Sequence, residues 1–108
     1  MSKFKLGKLV PTAAVVDMMQ KDHVFAAFVS KSIRRYEECD WGDTCEENKE
    51  TNYQALEDGE RILGVYEQAG VKTPMKIWII TEWDRSATTI LFPEEYWSYR
   101  LSVMSKLC

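Results

Sequence analysis

The chain has 108 residues, a net charge of −3, and a composition that is 45% hydrophobic and 12% aromatic. Its length predicts one domain spanning residues 1–108, and its apolar content excludes a disordered chain. The mild negative charge argues against a dedicated nucleic-acid binder, because such proteins usually carry a clear basic excess. No stretch reaches the roughly 18 apolar residues of a membrane span, and no signal-peptide pattern is present. We therefore expect a cytoplasmic protein with no membrane association and no nucleic acid as direct ligand.

The first third of the chain predicts a strand followed by two helices. Residues 3–10 alternate imperfectly between apolar residues and lysines, which is typical of a short strand at a sheet edge. Thr12 is suited to capping a helix that extends through Gln20. Asp22 is suited to capping a second helix, from His23 to about Glu37, in which apolar residues follow helical spacing.

The middle third predicts a turn and one helix. Residues 39–44 combine aspartates with glycine, and we expect Trp41 to fold back from this turn onto the core. A third helix is predicted from residue 45 or 46 to Leu56. Gly59 is positioned to end it in the left-handed conformation that favours glycine.

The last third predicts three strands, at residues 61–68, 76–83 and 88–92, joined by short connections that favour an antiparallel meander. Pro93 and the two glutamates after it predict a terminal helix that packs on the core or contacts a second copy of the chain. The predicted fold class is therefore α+β. It consists of a three-stranded antiparallel β-meander, with a short N-terminal strand, packed with about four helices.

The three cysteines are Cys39, Cys45 and Cys108. An odd number of cysteines without a secretion signal predicts reduced thiols. The spacing of Cys39 and Cys45 is not that of a structural zinc site, so we predict neither a metal nor another cofactor.

Residues 37–60 form an acidic segment with ten acidic side chains and one basic one, Lys49. One interpretation is a solvated helix face. A second is a docking surface for a basic protein, formed by Glu46, Glu47 and Glu50. A third is a divalent-cation site that combines Asp40 and Asp43 with Glu46 or Glu47, although the residue order of an EF-hand loop is missing.

Residues 81–89 form the most chemically varied stretch of the chain. In a structural interpretation, Asp84 forms an Asx-turn and Arg85 pairs with Glu82 or Asp84. In a binding interpretation, Arg85 grips a phosphate or carboxylate. No nucleophile with an adjacent base is evident, so no catalytic residue is predicted. The candidate binding residues are Asp40, Trp41, Asp43, Glu82, Trp83, Asp84, Arg85 and Ser86.

Three motifs carry a family resemblance: C-D-W-G-D at 39–43, W-I-I-T-E-W-D-R-S-A-T-T at 78–89, and P-E-E-Y at 93–96. Together with Asn52, they resemble a family of small bacterial proteins found on plasmids, phages and other mobile elements. The resemblance covers about residues 5–97 and departs from the family at Cys39, where the family has glycine. It implies an accessory gene on mobile DNA, a class that includes anti-restriction and anti-CRISPR inhibitors.

Three functions follow as hypotheses. The first is a non-enzymatic accessory protein that binds a host protein. The second is a protein that binds or sequesters a nucleotide-like small molecule through Arg85, Arg61 and Trp83. The third is a metal-dependent nucleic-acid enzyme, which requires the carboxylates of Asp40, Asp43, Glu82 and Asp84 to converge.

Overall fold

The computed structural model describes residues 3–96, which form three α-helices and four strands. In chain order the elements are β1 (Lys8–Pro11), α1 (Ala13–Lys21), α2 (His23–Glu37), α3 (Glu46–Asp58), β2 (Ile62–Glu67), β3 (Lys76–Thr81) and β4 (Ala87–Leu91), followed by a short 3₁₀ helix at Pro93–Glu95. None of the helices within residues 3–96 is long and apolar enough to cross a membrane.

The helix ends lie where the sequence predicts them. The Thr12 hydroxyl accepts the Val15 N–H at 3.3 Å, and the Asp22 carboxylate accepts two N–H groups of α2 at 3.0 and 3.1 Å. Gly59 ends α3 in the left-handed conformation, with φ of 72°. These three predictions are confirmed. They could be made from the sequence because a helix cap depends on residues that are close together in the chain.

The sheet has the strand order β1-β4-β3-β2. Strands β2, β3 and β4 form the predicted antiparallel meander. Strand β1 pairs with β4 in parallel, with Lys8 opposite Ala87 and Pro11 opposite Ile90. The predicted meander is therefore confirmed, and the N-terminal strand, for which no partner or direction was predicted, makes the sheet four-stranded and mixed.

One predicted element boundary also needs correction, and the terminal helix is described only at its start. Strand β1 starts at Lys8 rather than Lys3, because Gly7 has φ of 66° and passes against the carbonyls of Arg85 and Ser86, where a Cβ atom would clash. The predicted terminal helix begins with a 3₁₀ turn over Pro93–Glu95, and Tyr96 after it is helical. Its continuation, and the predicted contact with a second copy, lie outside the described residues. The described chain has three α-helices rather than about four.

Apolar side chains pack on both faces of the sheet. Helices α1 and α2 cover one face, where Phe25, Val29 and Tyr36 are packed with strand residues such as Ile77 and Ile79. The other face carries a second cluster, which consists of Leu63, Trp78, Ile80, Leu91 and Tyr96. The strands are therefore apolar on both sides, which explains their nearly continuous hydrophobic sequences.

The two cysteines within residues 3–96 differ from one another. Cys39 has a free thiol, and burial raises the pKa of that thiol above its ordinary value. Cys45, which immediately precedes α3, is disulfide-bonded. The expectation of reduced thiols is confirmed for Cys39 and wrong for Cys45.

Candidate functional site

The segment around Asp43 lies along the outer edge of β2. The Asp43 N–H donates to the Val65 carbonyl at 2.7 Å, and the Asp43 carboxylate accepts the Glu67 N–H at 2.8 Å. The Thr44 hydroxyl accepts the Val65 N–H at 2.9 Å. Because β2 is an edge strand, these groups would otherwise be unpaired. Asp43 and Thr44 together therefore satisfy three outward backbone groups of this edge.

Asn52 completes the same edge one step further along β2. Its side-chain amide donates to the Leu63 carbonyl at 2.6 Å and accepts the Leu63 N–H at 3.0 Å. Sequence reasoning noted Asn52 only as part of the family pattern and missed this role. The available signal was a stripe of Asn48, Asn52 and Ala55 at helical spacing in an otherwise polar helix, and these are the buried residues of α3.

Asp40 forms a two-bond ion pair with Arg35. The Nε and Nη2 atoms of Arg35 lie 2.8 and 3.1 Å from the Asp40 carboxylate oxygens. This pairing is the main reason that the pKa of Asp40 is lowered from its ordinary value of 3.8, and the hydrogen bond from the Gly42 N–H adds to it. The Arg35 guanidinium also lies 5.4 Å from the centroid of the Tyr66 ring. Asp40 therefore anchors the turn to α2.

Trp41 belongs to the core, as predicted. Only 2% of it is exposed. Its ring lies edge-on to the rings of Tyr36 and Tyr53, at centroid distances of 5.6 and 5.8 Å, and tilted against Phe4 at 6.0 Å. Trp41 is therefore buried rather than presented as a platform for a ligand.

The β3–β4 connection contains the predicted Asx-turn. The Asp84 carboxylate accepts the Ser86 N–H at 3.0 Å, and the hydrogen bonds from Ser86 lower the pKa of Asp84. The Glu82 carboxylate lies 3.9 Å from Nε of Arg61. Trp83 is 64% exposed at the tip of this connection.

Arg85 joins this turn to the C-terminus of α3. Its Nη1 atom donates to the carbonyls of Glu60, Glu82 and Trp83 at 2.7, 3.0 and 3.3 Å, and Nη2 donates to the Ala55 carbonyl at 3.0 Å. A cation is favourable there because the C-terminal end of a helix carries partial negative charge. The guanidinium therefore contacts backbone carbonyls, whereas the structural interpretation predicted a pair with the carboxylate of Glu82 or Asp84.

The structure does not bring the two groups of predicted site residues together. Glu82 pairs with Arg61, just before β2, whereas Asp43 binds the backbone of Glu67 at the far end of β2. Arg61 and Glu67 are six residues apart along an extended strand, which corresponds to about 20 Å. Within residues 3–96, no three His, Cys, Asp or Glu side chains could hold a metal ion. The proposed convergence of Asp40, Asp43, Glu82 and Asp84 is therefore wrong, as is the cation site with Glu46 or Glu47.

The outward side of α3 carries a surface that we call the α3 acidic face. At 100° per residue, Glu46, Glu50 and Glu57 lie opposite the buried stripe, whereas Glu47 and Asp58 lie on one flank of the helix; all five carboxylates are exposed. Glu46 pairs with Lys49 at 3.2 Å, yet its side chain is 88% exposed. Tyr53 lies on the same side of the helix and is 53% exposed.

A cleft of about 420 Å³ lies between the α1–α2 junction and the β2–β3 connection. Its lining includes Met18, Asp22, Val24 and Met75, and none of the sequence-predicted site residues contributes to it. The cleft is therefore a separate feature from both motifs.

Comparison with protein-family models, curated proteins and solved structures gives no match to this chain. The resemblance to the mobile-element family thus stays a prediction from the motifs.

Proposed function

We propose that the chain is a non-enzymatic accessory protein that binds a basic surface of a host protein through the α3 acidic face. The observation that carries the proposal is the arrangement of α3. The helix is held from behind by Asn48, Asn52 and Ala55, and its carboxylates face away from the rest of the domain. A helix fixed in this way presents its charges at defined positions.

The carboxylates of α3 differ from the other acidic candidates in their contacts. Asp40, Asp43 and Asp84 each accept hydrogen bonds that hold turns and strands in place. Within residues 3–96, Glu47, Glu50 and Glu57 form no ion pair. Exposed charges of this kind add little to folding stability, whereas they steer a partner of opposite charge.

Tyr53 favours a protein partner over a simple cation. Its ring packs edge-on to buried Trp41, and its hydroxyl lies 3.5 Å from the Cys39 carbonyl, so an exposed aromatic ring is held in a defined position. Rigid tyrosines are frequent anchors of protein interfaces. The α3 acidic face therefore combines charge with an apolar contact.

The resemblance to proteins of mobile elements favours a counter-defence role. The corresponding partner is a restriction or CRISPR nuclease, whose nucleic-acid-binding surface is basic. Binding of the α3 acidic face there would block the nuclease without any chemical step.

The alternative of a nucleotide-like ligand has less support from the geometry. Its central residue, Arg85, directs both terminal nitrogens at backbone carbonyls. Trp83 is exposed and available for stacking, and a thermal-shift screen with nucleotides and cyclic dinucleotides tests this alternative directly.

The test of the main proposal measures binding to, and inhibition of, a panel of purified restriction and CRISPR nucleases at several salt concentrations. We expect at least one nuclease to be inhibited, with an association rate that falls as salt rises. The combined variant Glu46→Gln, Glu47→Gln and Glu50→Gln should lower that rate by about tenfold or more.

The matched control is the combined variant Asp17→Asn, Glu67→Gln and Glu94→Gln. It removes the same charge from exposed positions outside the α3 acidic face and should keep binding and inhibition. Inhibition that is equal in both variants would contradict the proposed surface, and a panel in which no nuclease is bound would contradict the proposed partner class.

A further inference from the structure

The two edges of the sheet are finished differently. At the β2 edge, side chains of Asp43, Thr44 and Asn52 bond the outward backbone groups. At the opposite edge, β1 has no such cover among the described residues. An edge strand without such cover presents unpaired backbone groups with which another strand can pair.

The backbone of β1 offers specific bonding groups on its outer side. The N–H groups of Lys8 and Thr12 donate to the β4 side, to the carbonyls of Ser86 and Ile90, each at 3.0 Å. Because backbone groups alternate along a strand, the N–H and carbonyl of Leu9 and the carbonyl of Pro11 point away from the sheet. The edge thus provides one donor and two acceptors, since proline has no N–H.

The side chains at this edge are apolar and partly uncovered. Leu9 is 45% exposed and Val10 is 38% exposed. Neighbouring residues of a strand lie on opposite faces of a sheet, so these two side chains flank the edge from both sides. An added strand would cover both while bonding the backbone between them.

The positive charge beside this edge favours binding of an acidic segment. Lys3, Lys5 and Lys8 are exposed, and none forms an ion pair within residues 3–96. A second copy pairing edge to edge would bring its own lysines against these, which is unfavourable. An extended segment with acidic side chains would meet them favourably.

We propose that β1 binds an extended acidic segment of a partner protein, which adds to the sheet as a fifth strand. This site lies at the opposite edge of the sheet from the α3 acidic face and does not depend on the function proposed for that face.

The test uses synthetic peptides of about eight residues, a typical strand length, in which glutamate alternates with valine. Binding to the full chain is followed by the amide NMR signals of residues 8–10 and 12. We expect these signals to shift and the Leu9 N–H to become protected from hydrogen exchange. A peptide with lysine in place of glutamate should bind at least about tenfold more weakly.

Two further arms separate strand addition from simple charge attraction. The glutamate peptide with alternate N-methylated amides keeps its side chains but loses backbone donors, and it should bind at least about tenfold more weakly. In the protein, Leu9→Pro removes both the outward N–H and the leucine side chain, whereas Leu9→Thr removes the leucine side chain and keeps the N–H. Binding should therefore be lost in the first variant and largely retained in the second.

Several outcomes would overturn the proposal. Equal binding of the N-methylated peptide would show that no strand forms, even if the Leu9→Pro variant failed to fold. Equal binding of the lysine peptide would exclude the acidic occupant. Self-association in analytical ultracentrifugation that Leu9→Pro abolishes would identify the occupant as a second copy of the chain.

Discussion

The side-chain amide of Asn52 takes the place of a neighbouring strand beside Leu63. Its nitrogen donates to the Leu63 carbonyl at 2.6 Å, and its oxygen accepts the Leu63 N–H at 3.0 Å, in a buried position. One side chain of α3 therefore both fixes that helix and satisfies an edge residue of β2.

Replacing Asn52 with alanine should lower the free energy of unfolding by about 2–4 kcal/mol, because two buried backbone groups lose their partner. The measurement is urea denaturation followed by circular dichroism. Thr51→Ala is the control on the same helix: Thr51 is exposed and alanine favours helix, so little change is expected. Equal effects of the two substitutions would show that the Asn52 bonds contribute little.

Trp78→Ala should destabilise the fold by roughly 3–5 kcal/mol, the usual cost of truncating a buried tryptophan. Trp78 is 9% exposed and lies edge-on to Tyr96 at 5.3 Å. Trp83→Ala is the matched control, since Trp83 is 64% exposed and should contribute little to stability. A cooperative thermal melt of Trp78→Ala near the wild-type temperature would contradict the placement of Trp78 in the core.

Arg85→Ala should lower the free energy of unfolding by about 2–3 kcal/mol, because four carbonyls lose a charged donor. Arg85→Gly should cost about 1 kcal/mol less, since Arg85 has φ of 59° and glycine adopts that conformation without strain. Urea denaturation measures both, with Arg34→Ala, exposed on α2, as the control.

Arg85→Lys tests the binding interpretation of the same residue. Lysine keeps the charge but loses the planar fork that reaches two sets of carbonyls. We expect it to be destabilised and to retain partner binding. A stable Lys variant that lost binding of a ligand or partner would assign Arg85 to recognition instead.

Acid should weaken the fold in part through Asp40. Arg35 lowers the pKa of the Asp40 carboxyl in the folded state from its ordinary value of 3.8. The ion pair therefore contributes its full stabilisation at pH values above that ordinary pKa. The stabilisation is lost as the pH falls through the lowered pKa. Both side chains are more than a third exposed, which limits the effect at neutral pH to about 1 kcal/mol.

Urea denaturation of the wild type and of Asp40→Asn at several pH values measures this contribution. The stability difference between them should be largest at neutral pH and should shrink below about pH 3.8, as the wild-type carboxyl becomes protonated. A difference that stayed constant down to the acid unfolding transition would show that the ion pair does not contribute.

Local signals in the sequence predicted much of the fold. Thr12, Asp22 and Gly59 cap helices through neighbours in the chain, and Asp84 forms its turn with Ser86. The parallel pairing of β1 with β4 was missed because it joins residues from opposite ends of the described chain. No spacing rule within a short window can indicate such a partner.

In the candidate site too, features set by sequence neighbours were predicted and contacts between distant residues were not. The exposure of Glu46, Glu47 and Glu50 follows from helical periodicity around a buried stripe. The partners of Arg85 do not follow from its neighbours, because the Ala55 and Glu60 carbonyls reach it only after α3 and the β3–β4 turn are packed together. Side chains that bond distant backbone atoms are therefore the ones that sequence reasoning misassigned or missed.

The parallel pairing of β1 with β4 also sets an order of events during synthesis. The β2–β3–β4 meander joins neighbours in sequence and can form as soon as those strands leave the ribosome. Lys8 can pair with Ala87 only after almost the whole described chain has been synthesised. Closing so long a loop also carries an entropic cost. We therefore expect β1, the first strand to be synthesised, to be the last to join the sheet.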